Sequence, residues 1–319
     1  MSMSSGTSVP SPGCSSDGFT AASLTGSSAS GWRWLFAQVT PRLASSRWGD
    51  CCANLVPVPD DETGRPPLDA ERLLTPGWRV EVTEASPSTN ADVAARARDG
   101  EAAGLVVVTE HQTAGRGRLD RVWVTPPRAA LTFSLLVRPA AVPVTRWPWL
   151  PLLTGLAVAE AVREVAGVPA TLKWPNDVLV GDLKLAGILV ERVEAPPGAA
   201  AVVGVGLNVS STREELPVET ATSLALAGGS ADRSALLVGA LTRFSHWYDA
   251  WSAARGAGVR PSYKEACSTL GREVRVDLPA GEPLHGRAVD VDADGRLLVD
   301  DGRTVRALGA GDVVHVRPA

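Results

Sequence analysis

Two lysines mark the part of the chain where chemistry is expected. Only three of the 31 lysine and arginine residues are lysines, and two of them, Lys173 and Lys184, lie in one short window. A lysine ammonium bonds as a compact point charge, whereas arginine presents a wide planar fork. The choice of lysine therefore indicates a narrow anion-binding site. Two lysines brought near one another by chance on a solvated face are the alternative.

A glycine-rich basic loop lies upstream of these lysines. Segment 111–118 reads His-Gln-Thr-Ala-Gly-Arg-Gly-Arg and follows the apolar run 105–108, which is typical of a buried strand. Arg116 and Arg118 are unsuited to a core, and the glycines between them let the main chain approach a ligand. Arginine forks and the backbone amides of such a turn both bind phosphate or carboxylate. A flexible, solvated turn is the alternative for this loop.

The order of these motifs resembles that of the biotin protein ligases, also called biotin acetyl-CoA-carboxylase ligases. The likeness covers about residues 76 to 318. The segments that carry it are, in chain order, Ser88-Thr89-Asn90, the loop from Gln112 to Arg118, Trp123, Lys173-Trp174-Pro175-Asn176-Asp177, Lys184-Leu185-Ala186-Gly187-Ile188-Leu189 and Gly204-Val205-Gly206-Leu207-Asn208.

The resemblance implies an α/β (α+β) fold with a central mixed β-sheet flanked by helices. Such a catalytic domain, like that of class II aminoacyl-tRNA synthetases, is expected over residues 76–268, and a small SH3-like β-barrel over 269–319. Apolar periodicity agrees with this division. It predicts strands at 78–82, 131–137, 185–193 and 201–209, and helices at 90–98, 149–165 and 232–255. Short alternating strands are predicted at 273–277, 285–291, 296–299 and 303–307, with Asp-Gly hairpin signals between some of them.

The resemblance also implies a two-step reaction with biotin, ATP and Mg²⁺. Biotin's carboxylate first displaces pyrophosphate from ATP to form biotinyl-5′-AMP, because a free carboxylate is a poor electrophile. The activated acid then passes to a lysine of the biotin carboxyl carrier domain of an acyl-CoA carboxylase. The first step crowds a carboxylate against three phosphates, so cations must offset the repulsion. Mg²⁺ bridges phosphate oxygens while keeping several waters, so it needs no dedicated carboxylate cage.

Site residues follow from the family motifs. Catalytic roles are expected for Lys173, Arg116, Arg118 and Asp177, with Lys173 at the carboxylate and the α-phosphate. Residues expected to bind biotin, ATP or the intermediate are Ser88, Thr89, Asn90, Gln112, Gly115, Arg116, Gly117, Arg118, Trp123, Lys173, Asn176, Lys184, Gly187 and Asn208.

Structural alternatives stand beside several of these assignments. Segment 88–90 is also a good helix N-cap, Trp123 could be a core residue, and Asn208 could be a strand-end turn residue. Asp177 could bind metal, accept the proton of the acceptor lysine or cap a turn.

Composition narrows the function classes. The formal net charge of −4 argues against general nucleic-acid binding, and no run of 18 apolar residues predicts a membrane span. Four cysteines make no disulfide framework and four scattered histidines make no zinc pattern, so a reducing cytoplasm and no bound structural metal are expected. Residues 1–75 are expected to be a poorly ordered leader. We expect a monomer or weak homodimer.

Two alternative functions are a lipoate ligase and a biotin ligase that also represses transcription. Lipoate ligases activate a similar acid, but the Arg-Arg and triple-glycine pattern of that family is absent here. Some biotin ligases carry an N-terminal helix-turn-helix that represses transcription, but residues 1–75 show neither a pair of periodic helices nor a basic face. We therefore expect no specific DNA binding.

Overall fold

The computed structural model of the protein describes residues 64–316, except 120, 231, 254–257 and 279–280. Within these residues the strands form a seven-stranded sheet, a five-stranded sheet and a two-stranded hairpin. None of the helices in this part of the chain is long and apolar enough to cross a membrane. Residues 1–63 of the leader that was expected to be poorly ordered lie outside the described residues.

The seven-stranded sheet is mixed, as predicted. The strands of the first domain are β1 (Arg79–Ser86), β2 (Leu105–Gln112), β3 (Gly115–Arg116), β4 (Val122–Trp123), β5 (Ala130–Val137), β6 (Ala170–Lys173), β7 (Asp177–Val180), β8 (Leu183–Val193) and β9 (Ala200–Asn208). The sheet order is β1-β2-β5-β9-β8-β7-β6, while β3 and β4 pair separately. Strands β1 and β2 are parallel, and the other neighbours are antiparallel.

Helices cover both faces of this sheet, which explains why its middle strands are buried along their whole length and mostly apolar. All residues of β5 and β9 are buried. On one face, Val93 of α1 (Thr89–Arg98) belongs to the same apolar cluster as Val202. On the other face, Leu153 of α2 (Trp149–Ala161) clusters with Val205, and α3 (Arg233–Ala253) packs on α2. A strand buried on both sides shows no polar alternation.

The C-terminal residues form a five-stranded antiparallel sheet, in agreement with the predicted SH3-like barrel. A short helix, α4 (Arg260–Ala266), precedes it. Its strands are β10 (Glu273–Asp277), β11 (Leu284–Val291), β12 (Leu297–Asp300), β13 (Val305–Leu308) and β14 (Asp312–His315), in the order β13-β12-β11-β10-β14. The sequence patterns predicted the first four strands and missed β14.

Two tryptophans fix the barrel to the first domain. The indole Nε1 of Trp149 donates to the carbonyl of Ala293 at 2.9 Å, and that of Trp174 donates to the carbonyl of Gly295 at 3.0 Å. Both acceptors lie in the turn between β11 and β12. Gly295 has a φ of +80°, and a Cβ there would lie 3.3 Å from Leu152 of α2. The turn between β11 and β12 is therefore attached to the first domain by direct hydrogen bonds.

The folded body begins earlier than the predicted boundary at residue 76. Leu68 and Leu73 are buried in the main core, with exposed fractions of 7% and 4%. The backbone N–H of Leu68 donates to Glu110 at 2.6 Å, and the other carboxylate oxygen of Glu110 pairs with Arg233 at 2.6 Å. This buried ion pair anchors the segment, so residues 64–75 belong with the first domain rather than with a poorly ordered leader.

Two further local differences separate the predicted and the observed elements. The helix predicted for 149–165 is α-helical to Ala161, continues as one π-helical turn, Val162–Ala166, and ends at Gly167 with a φ of +70°. The hairpin of β6 and β7 was not predicted. It places Lys173 and Asp177 directly opposite one another across its turn.

Candidate active site

One cavity of about 1290 Å³ gathers nearly all of the predicted site residues. It opens where the C-terminal part of β2, the β3–β4 hairpin, the β6–β7 turn and strands β8 and β9 meet the barrel. Of the predicted residues, Gly115 alone does not line the cavity wall. A Cβ at Gly115 would lie 2.5 Å from Nε2 of Gln112. The glycine therefore allows the chain to pass close to the glutamine amide.

The N-terminus of α1 forms a polar slot at one end of the cavity. Ser88 caps the helix, with its hydroxyl accepting from the N–H of Ala91 at 3.4 Å. The N–H of Thr89 donates to Oε1 of Gln112 at 3.0 Å. This bond fixes the orientation of the amide. Nε2 of Gln112 has no hydrogen-bond partner among the described residues and remains available as a donor. Ser88 thus caps the helix and also lines the cavity.

Asn90 lies in the same slot, but its side chain is fully used by the protein. Its Nδ2 donates to the carboxylate of Glu191 at 2.7 Å and to the carbonyl of Leu189 at 3.3 Å, and its Oδ1 accepts from Ser134 at 2.6 Å. A Cβ at Gly204 would lie 2.9 Å from Cγ of Asn90. The absence of a side chain at Gly204 therefore makes room for this amide.

The β3–β4 hairpin brings three arginines to the cavity, and each has a different partner. Arg116 is exposed and pairs with Glu191 at 3.3 Å. Arg118 is half-buried and donates to Oδ1 of Asn176 at 2.8 Å and to the carbonyl of Gly311 at 3.4 Å. Burial lowers the pKa of Arg118, while the nearby carboxylates Asp177 and Asp312 oppose that shift. A cation held by neutral acceptors keeps its charge available for an anion.

The third arginine joins the hairpin to the barrel. Arg121 forms a hydrogen-bonded ion pair with Asp312 at the start of β14. The hydrogen bond to Asp312 and the charge of that carboxylate raise the pKa of Arg121. Together with the contact of Arg118 to Gly311, this pair ties the tip of the glycine-rich loop to the barrel.

Trp123 lies across two glycines of the large sheet. Gly187 on β8 and Gly206 on β9 are direct partners in the strand register. A Cβ at Gly206 would lie 2.6 Å from Cζ2 of Trp123, and one at Gly187 would lie 3.7 Å from Cζ3. The indole Nε1 is buried and has no hydrogen-bond partner among the described residues. The indole thus fills a slot that requires a glycine at position 206, whereas a Cβ at position 187 would only touch the ring. Its Nε1 is an unused donor beside the cavity.

The β6–β7 turn and β8 supply the two lysines. Lys184 pairs with Asp177 at 2.6 Å. Lys173, at the end of β6, has no ion-pair partner among the described residues and lines the cavity. Asn176 supports the turn, since its Nδ2 donates to the carbonyl of Ile188 at 2.9 Å. Within the described part of the chain, the cavity wall therefore includes one lysine that is paired with a carboxylate, Lys184, and one that is not, Lys173.

Asn208 lies at the end of β9 and is buried. Its Nδ2 donates to the carbonyl of Thr222 at 3.0 Å, and its own carbonyl accepts from Leu224 at 3.1 Å. The residue lines the cavity and also fixes the chain that follows β9. Asn208 therefore stabilises the chain at the end of its strand and also lines the cavity.

The barrel contributes site residues that the sequence motifs did not indicate. Arg272 and His315 line the cavity, and Arg272 pairs with Asp182 at 3.0 Å. Burial, followed by the charges of Lys173 and Arg272, lowers the pKa of His315 to about 4. Its imidazole is therefore neutral near pH 7. No spacing pattern could have revealed these residues, because they reach the cavity from a separate domain.

Metal binding by the protein alone is not indicated. Within the described part of the chain, no group of three or more His, Cys, Asp or Glu side chains could hold a metal ion.

Comparisons with known proteins agree on one family. Residues 82–208 match the model of the biotin/lipoate A/B protein ligase family, and residues 269–316 match the biotin protein ligase C-terminal domain. The biotin--[acetyl-CoA-carboxylase] ligase of Mycobacterium tuberculosis is 41% identical over 81% of this chain and 99% of its own length. The bifunctional ligase/repressor BirA of Bacillus subtilis is 31% identical over 66% of each chain.

A solved structure extends the likeness to the fold. The biotin protein ligase from Aquifex aeolicus in complex with biotin and ATP is 28% identical and superposes with a TM-score of 0.64. The match covers 75% of this chain and 99% of that one.

Proposed function

Because this chain belongs to the family of biotin protein ligases, we propose that it makes biotinyl-5′-AMP from biotin and ATP and transfers the biotinyl group to a carrier-domain lysine. The observation that carries the proposal is the set of residues that line this cavity. One end is a polar slot without a free charge, and the other holds Arg116, Arg118 and two lysines. Such a cavity suits a molecule with an uncharged polar head and a carboxylate that must meet phosphates.

The polar slot fits the ureido ring of biotin. That ring offers one carbonyl acceptor and two N–H donors. Nε2 of Gln112 is free to donate to a ring carbonyl, and the Ser88 hydroxyl can accept from a ring N–H. Asn90 supports this slot from behind, since its amide is already saturated. We therefore assign Asn90 to shaping the slot rather than to direct contact with biotin.

The cationic end serves the first chemical step. A carboxylate oxygen of biotin attacks the α-phosphorus of ATP, the bond from that phosphorus to the bridging oxygen of pyrophosphate breaks, and pyrophosphate leaves. Lys173 has the free ammonium, so we place it between the carboxylate and the α-phosphate. Arg116 and Arg118 are placed along the phosphates. A preorganised donor aimed at developing charge is worth about 3–4 kcal/mol in a site shielded from water.

Asp177 is assigned to positioning. Its carboxylate holds Lys184 at 2.6 Å, so the ammonium of Lys184 stays at the cavity wall beside Gly187. We propose that Mg²⁺ arrives with the triphosphate, where it would neutralise phosphate charge and retain most of its water ligands. The chain's own contribution is to fix the cations around that charge.

In the second step the ε-amine of an acceptor lysine attacks the acyl carbon of biotinyl-5′-AMP, an amide forms and AMP leaves. The attacking amine must first lose its proton, because its pKa is about 10.4 in water. We propose a biotin carboxyl carrier domain of a carboxylase as the acceptor, in line with the mycobacterial relative, which is a biotin--[acetyl-CoA-carboxylase] ligase.

The decisive test supplies the purified chain with biotin, MgATP and a biotin carboxyl carrier domain. We expect biotin-dependent release of pyrophosphate and a mass gain of one biotinyl group on one lysine of the carrier. A parallel reaction with lipoate should give far less product. Absence of biotin-dependent pyrophosphate release from the folded protein would refute the proposed function, and equal turnover of lipoate would refute the choice of acid.

A further inference from the structure

A continuous chain of hydrogen bonds joins the polar slot to the arginine loop. Ser134 donates to Oδ1 of Asn90 at 2.6 Å, so its oxygen can accept from the hydroxyl of Thr89 at 2.7 Å. Asn90 then donates to Oε2 of Glu191 at 2.7 Å, and Arg116 donates to Oε1 of the same carboxylate at 3.3 Å. The carboxylate of Glu191 therefore holds one partner on each oxygen, one from each end of the cavity.

The two ends of this chain differ in how firmly they are held. Thr89, Ser134 and Asn90 are buried, with exposed fractions of 2%, 0% and 5%. Each has its hydroxyl or amide in a hydrogen bond, so this end is rigid. The side chain of Arg116 is about half exposed, and an ion pair in water is weak. Arg116 is thus directed by Glu191 and remains able to turn to a stronger anion.

Glu191 was not among the predicted site residues, although it lies on β8 only two residues beyond Leu189, the last residue of the Lys184–Leu189 motif. We propose that Glu191 is a positioning residue that couples the biotin slot to the phosphate side through Asn90 and Arg116. This inference rests on the proposed function, since it assigns biotin to the slot and ATP to the arginines. The two oxygens serve separable purposes: one completes the slot, and the charge of the carboxylate directs Arg116.

Two substitutions at one position separate these purposes. Glu191→Gln retains a carbonyl oxygen that can accept from Asn90 but removes the charge that attracts Arg116. Glu191→Ala removes both. We expect Glu191→Gln to raise the KM for ATP at least about fivefold while the KM for biotin stays within about twofold, and Glu191→Ala to raise both KM values at least about fivefold.

A matched control lies just beyond the same strand. Glu194→Gln makes the same chemical change in an exposed residue that pairs with Arg192 at 2.5 Å and does not line the cavity. Both KM values should remain at the wild-type level in this variant. Melting temperatures show whether each variant is folded. Calorimetric titration with biotin in the absence of ATP measures the affinity of the slot for biotin separately from turnover.

The outcomes separate this inference from the proposed function. A wild-type KM for ATP in Glu191→Gln overturns the coupling, as does a biotin KM raised equally by the Gln and Ala substitutions. If the wild-type protein itself releases no pyrophosphate with biotin, the proposed function fails and the inference fails with it. An active wild-type enzyme with an unaffected Glu191→Gln variant overturns the inference alone.

Discussion

Replacement of Gly206 by alanine should impair adenylate formation through Trp123. A Cβ at this position would lie 2.6 Å from Cζ2 of the indole, whereas carbon atoms pack at 3.5–4.0 Å, so the ring must retreat by about 1 Å. The strand cannot yield instead, because Gly206 is paired with Thr132 on one side and with Gly187 on the other. The displacement therefore falls on the short β3–β4 hairpin.

The expected size follows from the cost of overpacking. Extra atoms in a well-packed site cost about 1–3 kcal/mol. The displaced hairpin carries Arg116, which we place along the phosphates. Returning Arg116 to that place restores the overpacked contact, so the liganded state bears this cost and kcat/KM should fall by about 5- to 140-fold. The melting temperature should change little, since the hairpin can move away in the free protein.

Biotin-dependent pyrophosphate release, with biotin and ATP varied in turn, measures the effect. Gly155→Ala is the control, because its Cβ would meet Leu172 at an ordinary 3.4 Å. The double variant G206A/W123A tests the cause: when the indole is absent, G206A should cost much less than in the wild-type background. An unchanged kcat/KM in folded G206A, or the same cost with and without Trp123, would refute this reasoning.

Three further outcomes are expected. Lys173→Arg should lower pyrophosphate release at least about tenfold although charge is conserved, because a guanidinium group is wider than an ammonium group. Lys264→Arg, at a lysine paired with Asp290, should have no effect. Near-native release by Lys173→Arg would contradict the role of Lys173. A chain shortened to begin at residue 64 should ligate biotin as fast as the full chain. In a chain that begins at residue 76, the free energy of unfolding measured in urea should be lower by about 3 kcal/mol or more, because two buried leucines are removed. Equal stability of the two shortened chains would show that segment 64–75 is dispensable. Because the pKa of His315 is lowered to about 4, the unfolded chain takes up its proton first, and stability should fall as the pH drops from about 6.5 towards 4. His315→Gln should flatten this part of the melting-temperature profile, and an identical slope in both proteins would exclude the histidine as its source.

Much of the fold could be predicted from the apolar patterns, because they reflect burial directly. Strands β5 and β9 are buried along their whole length, and most of their residues are apolar. Helix α1 begins at a predicted cap, Ser88. The hairpin of β6 and β7 was missed because four-residue strands are too short for a periodic signal. Strand β14 was missed because only two of its four residues, Val313 and Val314, are apolar.

The candidate site was predictable as a set of residues but not as a set of contacts. Motif order placed Lys173 and Arg118 in one cavity, but it did not show which cation is already paired. Asn90 resembles a ligand-binding residue in the sequence, yet three protein groups saturate its amide. His315 and Arg272 reach the site from the barrel, and Glu191 gains its role from two partners distant in sequence. Such roles depend on three-dimensional pairing, which residue types alone do not encode.

The junction between the two domains limits how far they behave as separable modules. Trp149 and Trp174 donate to two carbonyls of a single turn in the barrel, and Gly295 in that turn fits against α2 without room to spare. An exchanged barrel from a relative would need the same turn geometry to keep β14 and its Asp312 at the arginine loop. The two domains should consequently melt in one calorimetric transition. A barrel without this turn geometry would disrupt both the junction and the cavity.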